Sequence, residues 1–166
     1  MVSGSFASAY HGAPRASQDI DLIIDPTADQ LEKLLLALPD SEYYVSRDAA
    51  HDALQRRSQF NVIDLATNWK IDLIVRKSRR FSQEEFARRI PANLGGVQLS
   101  VATAEDVAIS KMEWAKLGGS QRQLEDVAGI LRGRRDLDRE YIQRWVQTLE
   151  LDEQWRSACS MAGENF

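Results

Sequence analysis

Apolar residues recur at two different spacings along the 166-residue chain, and the change falls near residue 102. In Asp19-Ile-Asp-Leu-Ile-Ile-Asp25, Ile20, Leu22 and Ile24 share one side. That period of two predicts a strand, closed by Pro26. Thr27 is placed to cap a helix over 28–38, where LEKLLLAL has helical spacing. Residues 42–46 predict a short strand and 48–56 a short helix. The run FNVIDLATNWKIDLIV reads as two strands joined at Thr67-Asn68, a β-hairpin. A helix is predicted over 82–90, with Ser82 as its cap and Glu85 at the capping-box position. GVQLS at 96–100 predicts a last strand, and 6–12 a short helix ended by Gly12 and Pro14. From 103 to 158 only helical periodicity remains, broken near Gly118-Gly119 and Gly133, which gives three or four helices. The expected class is α+β: a mixed sheet with flanking helices over 1–100, then a helical C-terminal region, 101–166, packed on it.

Composition narrows the class further. Apolar residues make up 43% and charged residues 28%, enough to build one real core. The net charge of −4 argues against a general nucleic-acid-coating protein. Two basic runs stand out, RKSRRFSQEEFARR at 76–89 and the arginine-rich 132–139. They fit solvated helix faces or phosphate contacts. A lone cysteine, Cys159, excludes an intrachain disulfide and a multi-cysteine metal site. No apolar run approaches the about 20 residues of a membrane span, and the N-terminus has no signal-peptide pattern. The expectation is a cytoplasmic protein with no membrane partner.

Asp19 and Asp21 lie on the same side of their strand, because residues i and i+2 point one way. Two carboxylates on a partly buried face repel, so the pattern asks for a cation between them. A second strand, Trp69–Val75, carries Asp72 in an apolar setting. If the two strands are neighbours, three carboxylates meet. Hard oxygen donors of that kind suit Mg²⁺ or Mn²⁺, with phosphate oxygens and water as the remaining ligands. The alternative is a solvated Asp-x-Asp on an edge strand that needs no metal. Upstream, Gly4 allows close backbone approach to a ligand, and Ser5 starts a helix whose N–H groups and hydroxyl can hold a phosphate.

Gly4-Ser5, a helix ending His-Gly, Arg15-x-Ser17-x-Asp-Ile-Asp-Leu and then Asp72 on a later strand together resemble the nucleotidyltransferase superfamily of the DNA polymerase β type. The wording is similar to its small prokaryotic, uncharacterised and AbiEii-type toxin-related branch, over residues 2 to about 77. Ala104-Glu105-Asp106 through Lys111 and on to Asp126 resembles the helical region of that branch more loosely. The resemblance implies a metal-dependent transfer of an NMP from an NTP to a hydroxyl of RNA, protein or a small molecule. It implies that Asp19, Asp21 and Asp72 are catalytic metal ligands for Mg²⁺ or Mn²⁺. It implies further that Gly4 and Ser5 grip phosphates, and it sets Arg15, Lys111 and Asp126 at the nucleotide. Each has a structural alternative: an ion pair for Arg15, an exposed helix lysine for Lys111, and an i+4 pair with Arg122 for Asp126. The family usually has a helix and a full strand before its glycine, whereas three residues precede Gly4. A shortened first strand would expose a sheet edge and leave Ser5 poorly supported.

Several residues invite a role that the pattern does not back. His11 reads as helix-terminal, His51-Asp52 as surface, and Trp114, Trp145 and Trp155 as core or interface. Asp64 competes with Asp72 but lies closer to the hairpin turn. Two classes stay open: an enzyme acting on an NTP, or a non-catalytic domain of this fold serving nucleotide binding or partner contact. The partners to be expected are an NTP, an RNA or protein acceptor, an antitoxin or regulator, and a second copy in a homodimer.

Overall fold

A computed structural model describes residues 1–164. Two compact units divide the chain: Met1–Ser3 with Ala16–Val101, and Gly4–Arg15 with Ala102–Phe166. The short helix α1 (Gly4–Tyr10) thus groups with the C-terminal helices. No described helix is long and apolar enough to cross a membrane.

The first unit runs β1 (Asp19–Ile24), α2 (Ala28–Leu36), β2 (Tyr43–Val45), α3 (Arg47–Arg56), β3 (Gln59–Asp64), β4 (Lys70–Val75), α4 (Arg80–Ala87), β5 (Ile90–Leu94) and β6 (Val97–Val101). Four strands form a mixed sheet in the order β1-β4-β3-β2. β1 is parallel to β4, and the other pairs are antiparallel. One sheet face carries Leu22, Ile24, Ile71, Leu73, Val75, Phe60 and Val62, which pack with Leu31 and Leu35 of α2 and Ala50 and Ala53 of α3. Burying a side chain such as Leu31 or Leu35 stabilises the fold by roughly 1.5–3 kcal/mol, so this face sets the register. Thr27 caps α2 in a full capping box with Gln30, which satisfies two otherwise orphaned backbone donors.

Residues 1–3 run along the outer edge of β1. The Ser3 amide donates to the Asp21 carbonyl at 2.9 Å and the Ile23 amide to Met1 at 2.8 Å, while Val2 reaches Ser100 of β6 at 2.7 Å. Val2 bridges Leu22 and Val101 on either side. The edge of β1 is therefore paired over these residues.

Two expectations are corrected. Helix α4 begins at Arg80 after an N-cap at Arg79 and has no side-chain cap, so Ser82 sits inside it. The Ser82 hydroxyl instead accepts from Arg79 Nε at 3.0 Å. The helix expected to reach residue 90 ends at Ala87, and 90–94 form a strand paired with β6 through a Gly95-Gly96 turn. Both glycines have positive φ, 60° and 86°, as a two-residue hairpin turn of this hand requires.

The second unit contains α1, α5 (Ala104–Gly118), α6 (Gln121–Gly133), α7 (Arg139–Thr148) and α8 (Asp152–Ala162). Gly119 ends α5 in the left-handed conformation (φ 61°). Thr103 caps the start of α5, and the buried Asp106 accepts hydrogen bonds from the hydroxyls of Thr103 and Tyr141, both at 2.6 Å. A Cβ on Gly129 of α6 would stand 2.7 Å from the Ala13 Cβ, so the segment after α1 packs on α6 where no side chain intervenes.

Candidate functional site: a carboxylate face on the parallel pair

In the parallel β1–β4 pair, Asp19 stands opposite Lys70 and Asp21 opposite Asp72. Adjacent residues of paired strands point to the same side. Asp19, Asp21, Lys70 and Asp72 therefore line the face turned away from the α2–α3 core. Asn61 of β3 stands opposite Asp72 and extends the row. The strands are neighbours, so the backbone juxtaposition expected from the sequence is present.

The chain itself supplies a cation at this face, between Asp19 and Asp72 rather than within the Asp19/Asp21 doublet. Lys70 Nζ lies 3.0 Å from Asp72 Oδ2 and 3.6 Å from Asp19 Oδ1. Its hydrogen bond to Asp72 raises the ammonium pKa above the ordinary lysine value; desolvation opposes this, and the charges of Asp72 and Asp19 add to it. Asp72 is 8% exposed, and its Oδ1 is buried without a hydrogen-bond partner. Native structures rarely leave such an atom unsatisfied. With the side chains in this arrangement, no group of three or more His, Cys, Asp or Glu among the described residues is gathered to hold a metal ion. The donor chemistry nevertheless fits a hard divalent cation, because three carboxylates share the face and one buried oxygen has no partner.

The other predicted residues lie in the second unit, with Gly4 at the head of α1 (φ 57°), a conformation that favours glycine. Ser5 is buried, and its hydroxyl accepts from the Arg15 guanidinium. Arg15 Nε donates to Asp126 Oδ2 at 3.0 Å. Lys111 Nζ donates to the same oxygen at 2.7 Å and to Gln123 Oε1 at 2.9 Å. Lys111 and Asp126 are 4% and 6% exposed. Neither the exposed lysine nor the Arg122 pair describes them. Ser5, Arg15, Asp126 and Lys111 form one hydrogen-bonded chain, beside a cavity of about 380 Å³ lined by Gly12, Ala13, Asp126, Gly129 and Arg132 among others.

Residues set aside in the sequence have structural employment. Asp64 Oδ1 accepts the Ala66 and Thr67 amides, both at 2.9 Å, and shapes the hairpin turn. His51 pairs with Glu32 and Asp52 with Arg56 at the surface. Buried His11 makes a 2.7 Å hydrogen bond from Nε2 to the Ala102 carbonyl, which fixes the neutral tautomer with Nδ1 facing Arg134. Burial lowers its pKa, against that hydrogen bond. Trp145 and Trp155 are buried, whereas Trp114 is exposed. Lys70 has no role in the expectations drawn from the sequence. The signal was there, since a residue two before Asp72 in a strand shares its face.

No family model and no curated protein matches the sequence. Solved structures do resemble the fold. An antigenic nucleotidyltransferase-like protein from Paracoccidioides brasiliensis superposes with a TM-score of 0.51 at 15% identity, over 94% of this chain and 83% of that one. The lincosamide antibiotic adenylyltransferase LnuA, solved with lincomycin bound, gives a TM-score of 0.50 at 11% identity, over 78% of this chain and 84% of that one. The chain has a nucleotidyltransferase-like α+β fold.

Proposed function

We propose that the chain is a nucleotidyltransferase that moves an NMP from an NTP to a hydroxyl acceptor, releasing pyrophosphate, with Asp19, Asp21 and Asp72 holding divalent metal. The observation that carries this reading is the register of the parallel pair. It sets Asp21 against Asp72 and Asp19 two residues before, and one Asp72 oxygen is buried without a partner. A divalent cation bound there would neutralise the carboxylates, acidify the acceptor hydroxyl and offset charge developing on the phosphate oxygens. Within the chain, the sheet holds Asp72 rigidly between β1 and β3, while the more exposed Asp19 faces solvent. The acceptor is a hydroxyl of RNA, of protein or of a small molecule, and the toxin–antitoxin setting belongs to this proposal as its biological context.

A second reading has one observation in its favour. Lys70 already balances two of the three carboxylates, as a non-catalytic domain of the same fold would require. The two are separated by incubating the protein with Mg²⁺ or Mn²⁺ and each labelled NTP. Transfer RNA, the protein itself and lincomycin serve as acceptors, beside an Asp19→Asn/Asp21→Asn control. The enzyme predicts metal-dependent pyrophosphate release that the control abolishes. Intact triphosphate in every mixture, together with calorimetry showing no metal-dependent nucleotide binding, refutes it.

A further inference from the structure

Lys70 sits between two of the three carboxylates that the proposed function assigns to a divalent cation. Its ammonium touches Asp72 and Asp19 from the strand position directly opposite Asp19. Those contacts balance two of the carboxylates, yet Asp72 Oδ1 stays buried and unpartnered. An ammonium on a flexible stem approaches one oxygen of a carboxylate at a time, whereas a dication can be chelated by several. Lys70 itself is well exposed, its side chain 39% accessible, so the stem can swing into solvent without opening the core.

We propose that Lys70 is a displaceable internal counter-ion of the Asp19–Asp72 pair, which divalent-cation binding expels. This inference rests on the metal-binding reading of the carboxylate face. It adds that the resting domain is held in a charge-balanced form that admits a cation only in exchange for the ammonium. Lys70 is then a residue that sets metal affinity rather than a ligand, and its removal makes the face bind metal more tightly.

The test uses the full chain and Mn²⁺ alone, read by calorimetry and by the paramagnetic resonance signal of free Mn²⁺. Lys70→Met is expected to bind Mn²⁺ about tenfold more tightly than the wild type, because no ammonium has to be drawn away from the carboxylates first. Lys70→Arg, whose fork holds carboxylates better, is expected to bind no more tightly than the wild type. Asp72→Asn should abolish binding in either background. In the wild type, lysine acylation read by mass spectrometry should show Lys70 labelling rise severalfold when Mn²⁺ is added. Because that measurement needs no variant, it stands even where Lys70→Met does not fold. Asp72-dependent binding with unchanged affinity in Lys70→Met and unchanged Lys70 labelling overturns the displacement and leaves the metal site standing. Absence of Asp72-dependent Mn²⁺ binding in both the wild type and Lys70→Met overturns both.

Discussion

Removing the carboxylate of Asp126 is the most informative single perturbation of the second unit. Its Oδ2 receives both Lys111, at 2.7 Å, and Arg15, at 3.0 Å. Asp126→Ala leaves Lys111, 4% exposed, beside a second cation with its charge partner gone. Losing one member of a buried ion pair costs about 3–5 kcal/mol. Arg15 is 25% exposed at its side chain and can turn toward water, and Lys111 keeps Gln123. These two facts place the expected loss near the lower end, about 3 kcal/mol. For a chain of this length that is a fall in Tm of about 6–12 °C, out of a total stability of about 5–15 kcal/mol. Lys111→Met should cost less, about 1–2 kcal/mol, since Asp126 keeps Arg15. Lys111→Met/Asp126→Leu should recover most of the loss, because both buried members of the pair are gone and the partly exposed Arg15 can turn toward water. Urea unfolding followed by far-ultraviolet circular dichroism measures all four corners of the cycle. A loss below about 1 kcal/mol in Asp126→Ala, or a double variant as unstable as the two singles summed, refutes the account. The folded double variant then serves as a probe. If it still binds nucleotide as the wild type does, the cluster is structural.

Two further outcomes follow from the packing. His11 is kept neutral chiefly by burial, so its folded pKa lies below the ordinary 6.5, and the unfolded chain takes up the proton first as pH falls. Its contribution is complete above about pH 6.5 and is lost as pH drops from there through the folded value. The urea midpoint should fall with acid more steeply in the wild type than in His11→Gln, and equal slopes would count against it. Gly129→Val drives a side chain into Ala13, whose Cβ already stands 2.7 Å from where a Cβ would be. We expect a loss of about 2 kcal/mol by thermal melting, partly restored by adding Ala13→Gly; no change would mean that α6 and the segment after α1 separate freely.

What could be read from the sequence was whatever short-range periodicity encodes. The alternation in β1 and β4 and the two-residue offset of Asp19 and Asp21 required only the strand period. The capping of α2 by Thr27 is equally local. The hairpin β5–β6 was half missed: a helix was expected over 82–90 and a strand only over 96–100, so its first strand had no expectation. The Gly95-Gly96 pair was the available turn signal. Ser82 misled for a related reason: a serine three residues before a glutamate satisfies the capping pattern whether or not the helix starts there. The helix began at Arg80, with Phe81 buried at 1% exposure in its first turn. The burial of Lys111 and the pairing of both Lys111 and Arg15 with Asp126 were not legible. They join residue 111 of α5, 126 of α6 and 15 of the segment after α1 through tertiary packing, and no local spacing records that.

The register that creates the carboxylate face is fixed from its opposite side. A one-residue slip between β1 and β4 would separate Asp21 from Asp72, but it would also turn Leu73 and Val75 out of the α2–α3 core. Exposing two such side chains costs roughly 3–6 kcal/mol. Two carboxylates about 5 Å apart, the spacing of neighbouring strands, repel by only about 3 kcal/mol at the effective dielectric of a protein surface. Burial wins on magnitude, so the acidic residues sit together because the core obliges them to, not because they attract. The remaining repulsion must be offset by whatever cation is at hand. Lys70, carried by the same strand as Asp72, is always present at unit stoichiometry. A domain that relied on external metal for this balance would lose stability whenever the metal was withdrawn. One carrying Lys70 keeps a cation at the face, and for that reason chelation after purification with Mn²⁺ should lower the melting temperature of the wild type less than that of Lys70→Met, and equal falls would count against the exchange.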